Sequence, residues 1–137
     1  MYLLDTNVIS ELRKPRPHGG VLAWFRSLGA ADIHVSAVTI GEIQAGIEIT
    51  RRQDLAKARD LEEWLNQVAA SYTLIPMDGA AFREWSRLMA GRSDTLYEDA
   101  MLAAQARLRA LVVATRNVAD FHDLGVAVFN PFAPLAD

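Results

Sequence analysis

Cysteine is absent from the chain, so neither a disulfide framework nor a thiolate metal site can form. Histidine is scarce: His18, His34 and His122 are the only three, they do not cluster, and none is assigned to catalysis. No apolar run approaches the roughly 20 residues needed to span a bilayer, and the start has no basic region followed by a signal-like apolar stretch. The resulting expectation is a soluble cytoplasmic protein without membrane association. Gly-x-Gly-x-x-Gly does not follow the first apolar run, which argues against a dinucleotide enzyme. Positive charge is not in excess either: 14 Lys and Arg against 17 Asp and Glu leave a formal net charge of −3. Any binding of nucleic acid must therefore come from local basic groups and a metal, not from a global field. Internal repeats, low-complexity tracts and linkers are also missing.

What is present is ordinary globular material. The chain has 137 residues, 51% of them apolar and 23% charged, enough for one domain with a substantial core. Tyr2–Leu4 reads as a strand, and Thr6–Arg13 as a short helix stopped by Lys14-Pro15-Arg16-Pro17. Val21, Leu22, Trp24, Phe25 and Leu28 form a stripe at helical spacing ended by Gly29. Ile33–Ser36 is a strand, followed by helices over Val38–Thr50 and Asp54–Ala70. Tyr72–Ile75 is a strand closed by Pro76, and Gly79–Ala90 a helix. Leu96–Arg109 is a largely apolar helix, Leu111–Ala114 a buried strand, and Val126–Phe129 a last short strand before Asn130-Pro131. Strands alternating with helices predict an α/β fold with a mostly parallel sheet covered on both faces.

Acidic residues recur at the junctions. Four apolar residues lead into Asp5, which places a carboxylate at the carboxyl end of the first strand, where open α/β sheets hold ligands. Asp5 is equally suited to cap the following helix. Glu42 lies in the first turns of the helix after the second strand. Thr39-Ile40-Gly41-Glu42 also fits a capping box, which would turn Glu42 back onto the helix start. Thr95-Leu96-Tyr97-Glu98 is a second such box, and it accounts for Glu98 without any chemistry. Asp99 resists that explanation, because Leu102, Ala103, Ala106 and Ala110 on its helix face are all apolar. A carboxylate there needs more compensation than a helix N-terminus gives. Asn117 and Asp120 follow the Leu111–Ala114 strand. Asp5, Glu42 and the Asn117–Asp120 turn should face one crevice, while the position of Asp99 depends on the loop before it.

Carboxylates converging without His or Cys repel one another, and a hard divalent cation removes that penalty. Oxygen-only ligands favour magnesium or manganese over zinc. Magnesium keeps several waters, one of which can attack a phosphodiester. Metal-dependent phosphodiester hydrolysis is the chemistry this spacing predicts.

Taken in order, Leu4-Asp5-Thr6-Asn7-Val8-Ile9-Ser10-Glu11, Ser36 to Glu42, Asp99 with Ala100 to Ala104, and Thr115-Arg116-Asn117 resemble the PIN domain. In particular they are similar to VapC- and FitB-type toxins of bacterial toxin–antitoxin pairs. The resemblance reaches Asn130-Pro131-Phe132, so residues 1–137 are expected to form a single PIN-like domain. It implies a three-layer α/β/α sandwich with a five-stranded, mostly parallel sheet, and a Mg2+-dependent endoribonuclease, with Mn2+ as a plausible substitute. It also implies Asp5, Glu42 and Asp99 as the catalytic and metal-binding acids. The family's fourth acidic position falls on Asn117, for which Asp120 is a substitute. The hydroxyls of Thr6 and Thr115 are then expected to orient carboxylates or water.

Arg13, Lys14 and Arg16, in the loop after the first short helix, and Arg116 are candidates for phosphate contacts that position RNA without reading its sequence. The partners implied are an RNA substrate, a second copy in a homodimer, and a small antitoxin whose tail lies across the active site. DNA would be bound only through that antitoxin. Trp24, Trp64 and Trp85 belong to amphipathic helices, as core residues or as the lining of a subunit contact or partner groove.

Three other functions share parts of the pattern. A phosphotransferase would use Asp5 as covalent nucleophile, but it usually wants a second acid two residues on, where Asn7 stands. A receiver-like module lacks the lysine that should follow a late strand. A PIN fold without catalysis, serving as an RNA-binding or interaction module, is favoured by Asn117 and opposed by the three acids.

Overall fold

Five short apolar strands set the frame. They are β1 (Tyr2–Leu4), β2 (Ile33–Ser36), β3 (Thr73–Ile75), β4 (Val112–Ala114) and β5 (Val128–Phe129). All neighbours pair in parallel, in the order β3-β2-β1-β4-β5, so β1 is central with Leu3 beside both His34 and Val113. The computed structural model describes residues 1–134. Helices fill the crossovers: α1 (Thr6–Arg13), α2 (Gly19–Arg26), α3 (Ala37–Arg51), α4 (Leu55–Ser71), α5 (Gly79–Met89), α6 (Tyr97–Arg109) and α7 (Val118–Phe121). This is the expected α/β architecture with its five-stranded parallel sheet.

The pleat explains the two cores. Successive side chains of a strand point to opposite faces. Leu3 and Val113 therefore meet Leu102, Ala103 and Ala106 of α6 and Phe121 of α7 on one face. Leu4 and Ala114 point the other way, where Val8, Ile9, Val21 and Val68 from α1, α2 and α4 cover them. A helix layer thus lies on each side of the sheet. None of the described helices is long and apolar enough to cross a membrane.

The carboxyl edge of the sheet is built by caps. Asp5 ends β1 in extended conformation and caps α1, accepting from the Thr6 N–H. Ser36 ends β2 and caps α3 through its hydroxyl, which accepts from the Val38 N–H. Both helices therefore begin within a residue of their strand, at the same edge. On α6, buried Gln105 donates from Nε2 to the carbonyls of Ile75 and Pro76, each at 3.1 Å, and ties that helix to the end of β3.

Most element boundaries differ from the sequence expectation by a residue, and three differences have a structural cause. Leu111 is not in the ladder, because its N–H closes the end of α6 on the Ala106 carbonyl while Ala110 takes a left-handed φ of 53°. Strand β5 begins at Val128 instead of Val126, after Gly125 turns the chain with φ 68°. The segment expected as the Asn117–Asp120 turn contains the single-turn helix α7, too short for periodicity to reveal.

Candidate active site

Three donors hold the Asp5 carboxylate. Its Oδ1 accepts the Thr6 N–H at 2.8 Å, and its Oδ2 accepts the Thr115 hydroxyl at 2.8 Å and Asn7 Nδ2 at 3.2 Å. Its backbone N–H also donates to Ala114, the last residue of β4, at 2.9 Å. The side chain is both a helix cap and a site residue; one carboxylate has two oxygens to spend on the two roles. Only 9% of Asp5 is exposed. Burial pushes its carboxyl above the ordinary range, although the bonds from Thr115, Thr6 and Asn7 pull it down.

Glu42 and Asp99 reach the same place from α3 and α6. Together with Glu98 they line one cleft of about 330 Å3 with Asp5, and Thr6, Asn7 and Asn117 complete its polar wall. The capping box expected around Glu42 does not form, because Ser36, not Thr39, is the N-cap of α3. Thr39 is instead fully buried, and the Thr6 hydroxyl lies 3.3 Å from both its Oγ1 and Glu42 Oε2. Burial, followed by the negative charge of Glu98, pushes the Glu42 carboxyl up to about 7. Burial, then the charges of Asp5, Asp120 and Glu98, pushes Asp99 up to about 6. Both groups are held in a field that disfavours their ionised forms at neutral pH.

Glu98 is the residue sequence reasoning missed. Its capping box also fails: the N-cap of α6 is Leu96, which has no side-chain cap bond, and Thr95 belongs to a preceding 3-10 turn. Freed from that role, Glu98 faces Glu42 across the cleft. The acidic Glu98-Asp99 pair at a helix start was the available signal. Asn7 was also overlooked. Its amide donates to Asp5 and, at 3.4 Å, to Thr115 Oγ1, while its Oδ1 accepts the Arg116 N–H at 3.1 Å.

The remaining candidates divide. Thr115 is fully buried, and its Oγ1 also accepts the Asn117 N–H at 3.0 Å, which makes it the hub of the β4 turn. Asn117 lines the cleft; Asp120 does not, and acts on Asp5 and Asp99 only through its charge. Arg13 lies over Trp64 at 5.9 Å, Lys14 pairs with Glu11 at 2.9 Å, and Arg16 is exposed, so none of the three enters the cleft. Arg116 sits beside it, with its guanidinium 3.8 Å from the Phe132 ring centre.

The donor set fits a hard divalent cation. Every side chain able to ligate in the cleft offers oxygen, and neither His nor Cys is among them. Among the described residues no three His, Cys, Asp or Glu side chains form a ready-made cage. Magnesium does not need one, since it is usually bound by one or two carboxylates and several waters.

Comparison with known proteins agrees with this geometry. The sequence pattern of the PIN domain matches residues 2–126. The toxin FitB of Neisseria gonorrhoeae is 32% identical, over 96% of this chain and 99% of its own. The VapC ribonuclease Y4jK of Sinorhizobium fredii is 33% identical, over 98% and 99%. Among solved structures, FitAcB from Neisseria gonorrhoeae contains a chain that superposes with a TM-score of 0.86 at 34% identity, covering 96% of this chain and 99% of that one. Strand order, cleft and sequence lead to one conclusion: this chain belongs to the PIN-domain family, among the FitB- and VapC-like proteins.

Proposed function

We propose that the protein is a metal-dependent endoribonuclease, the toxin of a toxin–antitoxin pair. The observation that carries this reading is the gathering of four carboxylates, from β1, α3 and the start of α6, into one oxygen-only cleft at the carboxyl edge of the sheet. Asp5, Asp99 and Glu42 would hold Mg2+, or Mn2+ in its place, with Asn117 offering a neutral carbonyl at the fourth position. Such an ion supplies charge neutralisation at the scissile phosphate and an acidified water. Thr115 and Asn7 fix the orientation of Asp5, so that little reorganisation is left for the reaction. Arg116, at the rim, is suited to a neighbouring phosphate.

The ribonuclease activity named for the VapC relative supports this chemistry. A covalent role for Asp5 is disfavoured by Asn7, which stands where a phosphotransferase usually has its second acid. An antitoxin partner is supported by relatives solved as toxin–antitoxin complexes, one of them FitAB bound to a DNA fragment. An apolar groove of about 190 Å3, walled by Leu12, Phe25, Trp64 and Tyr72 between α1, α2 and α4, suits an amphipathic partner helix. DNA would be contacted through that partner. Exposed Phe82 and Tyr97, packed edge-on and tilted against Trp85, offer a face to a second copy of the chain.

The test is cleavage of structured RNA by the purified protein with Mg2+. Cleavage should vanish in Asp5→Asn and Asp99→Asn while both variants stay folded. Cleavage by both variants in the presence of chelator would remove the metal-dependent reading. Tight RNA binding without cleavage in any divalent ion would favour the binding module instead.

A further inference from the structure

Asn130-Pro131-Phe132, the motif after β5, has no part in the chemistry above, yet its conformation is specified. The Ala133 N–H donates to the Asn130 carbonyl at 3.2 Å, and the Phe132 N–H to Asn130 Oδ1 at 2.9 Å. These two bonds close a β-turn with Pro131 buried at its first corner, where proline presets the φ that the turn needs. The turn sets Phe132 against two residues from other elements. Its ring centre lies 5.4 Å from that of His18 and 3.8 Å from the Arg116 guanidinium carbon. His18 is itself fixed, because its ring caps α2 and its N–H donates to Glu11 Oε2 at 3.0 Å.

Arg116 stands in the middle of the turn that builds the acid site. Its guanidinium rests over the Phe132 ring, an arrangement that attracts a cation to the aromatic face, and it forms no salt bridge among the described residues. The neighbouring Thr115 N–H donates to the Phe129 carbonyl at 2.9 Å. Residues 129–132 therefore grip the Thr115–Asn117 turn twice, once by backbone and once by a ring. On its other side the same turn grips the acid. The Arg116 N–H donates to Asn7 Oδ1 at 3.1 Å, which leaves Nδ2 of that amide to face Asp5 Oδ2, at 3.2 Å. Thr115 Oγ1 donates to Asp5 at 2.8 Å and accepts the Asn117 N–H at 3.0 Å. A displaced turn would deprive Asn7 of the donor that decides which end of its amide meets Asp5. The reversed amide would set an oxygen against a carboxylate.

We propose that Phe132 is a positioning residue of the acid site: the Asn130–Ala133 turn holds the Thr115–Asn117 turn through Arg116, and so keeps Asn7 and Asp5 in the orientation that receives a divalent cation. The proposal rests on the metal-dependent reading of the cleft and extends its machinery to a residue that does not line it. Phe132 touches neither metal nor substrate in this role and acts only through the residues it holds.

Two measurements on the full chain test it, both without RNA. The first is calorimetric Mn2+ affinity. Phe132→Leu keeps an apolar side chain but removes the aromatic face, and should weaken Mn2+ binding about fivefold. That is less than the roughly ten- to hundredfold expected for a residue bonded directly to a metal ligand. Phe132→Tyr keeps the ring and should stay within about twofold of the parent. Leu65→Val serves as the control for stability alone, since it loosens the cluster with Ile47 and Ala58, none of which lines the cleft, and should leave Mn2+ affinity unchanged. The second is NMR of the Asn7 side-chain amide in chelator, whose resonances should move in Phe132→Leu and not in Leu65→Val. Unaltered Mn2+ affinity and unmoved Asn7 resonances in Phe132→Leu overturn the proposal. Equal losses of affinity in Phe132→Leu, Phe132→Tyr and Leu65→Val overturn it in favour of a merely structural role. The two readings fail differently. A parent that binds no Mn2+ removes the metal reading, and the Asn7 resonances then decide the positioning role by themselves. Metal-dependent cleavage with affinity and resonances untouched by Phe132→Leu removes the positioning role and leaves the nuclease.

Discussion

Replacing Glu42 by Gln should stabilise the protein in chelator at pH 8, although it removes an acid from the proposed catalytic set. The ordinary carboxyl value of 4.5 is raised to about 7 in the fold. Conversion of that gap at 1.36 kcal/mol per pH unit gives an upper bound of about 3.4 kcal/mol. Glu42 is partly exposed, so solvent screening reduces the figure to ~1–2 kcal/mol. The folded state binds the proton more tightly than the unfolded one, so stability falls as pH rises between 4.5 and about 7. Above that window the parent carries the full cost of an ionised Glu42 facing Glu98; Gln carries none and can still accept from the Thr6 hydroxyl. The assay is thermal unfolding of parent and Glu42→Gln in chelator at pH 8 and pH 4. A rise of roughly 3–8 °C is expected at pH 8. The advantage should nearly disappear at pH 4, where Glu42 is protonated in both states. Added Mn2+ should raise the parent's midpoint more than the variant's. A variant less stable than the parent at pH 8, or one with the same advantage at both pH values, would refute the reasoning.

Further outcomes follow from other parts of the site and fold. Thr115→Val keeps the shape of a fully buried side chain but removes the hydroxyl that serves Asp5 and Asn117. It should cost about 1–3 kcal/mol in urea unfolding and weaken Mn2+ binding by calorimetry. Glu98→Gln should bring the Glu42 carboxyl below about 7, seen by NMR titration in chelator, because the Glu98 charge ranks second only to burial among the causes raising it. Gly125→Ala places a Cβ at φ 68° and against Arg107, which bonds the Gly125 carbonyl and Glu84. A loss of about 1–2 kcal/mol in chemical denaturation is expected, with Mg2+-dependent cleavage retained below the new transition.

Much of the fold is legible without coordinates because its signals are local. Alternating apolar runs and helical stripes gave the strands and the six longer helices their places, and Asp5 declared itself by ending an apolar strand before a helix start. The strands came out shorter than read wherever a backbone turn intervened: the N–H of Leu111 belongs to the end of α6, and Gly125 bends the chain before β5. Those are hydrogen-bond choices that side-chain periodicity does not record. The basic residues after α1 were near Asp5 in sequence, yet Arg13 and Lys14 turned to Trp64 and Glu11.

The amino-acid order alone determined the alternation of strands and helices, the chemistry of the donors, all oxygen and no sulfur, and the family likeness carried by its ordered motifs. Which acids share a cleft was decided only by the tertiary structure. A Thr followed three residues later by Glu fits a cap and a site equally well, since both use the same carboxylate at the start of a helix. Ser36 and Leu96 took the cap positions, and that left Glu42 and Glu98 facing each other across residues distant in the chain. The physical reason is that a cap depends on one turn of backbone, whereas the meeting of two charges depends on the packing of α3 and α6 at the edge of the sheet.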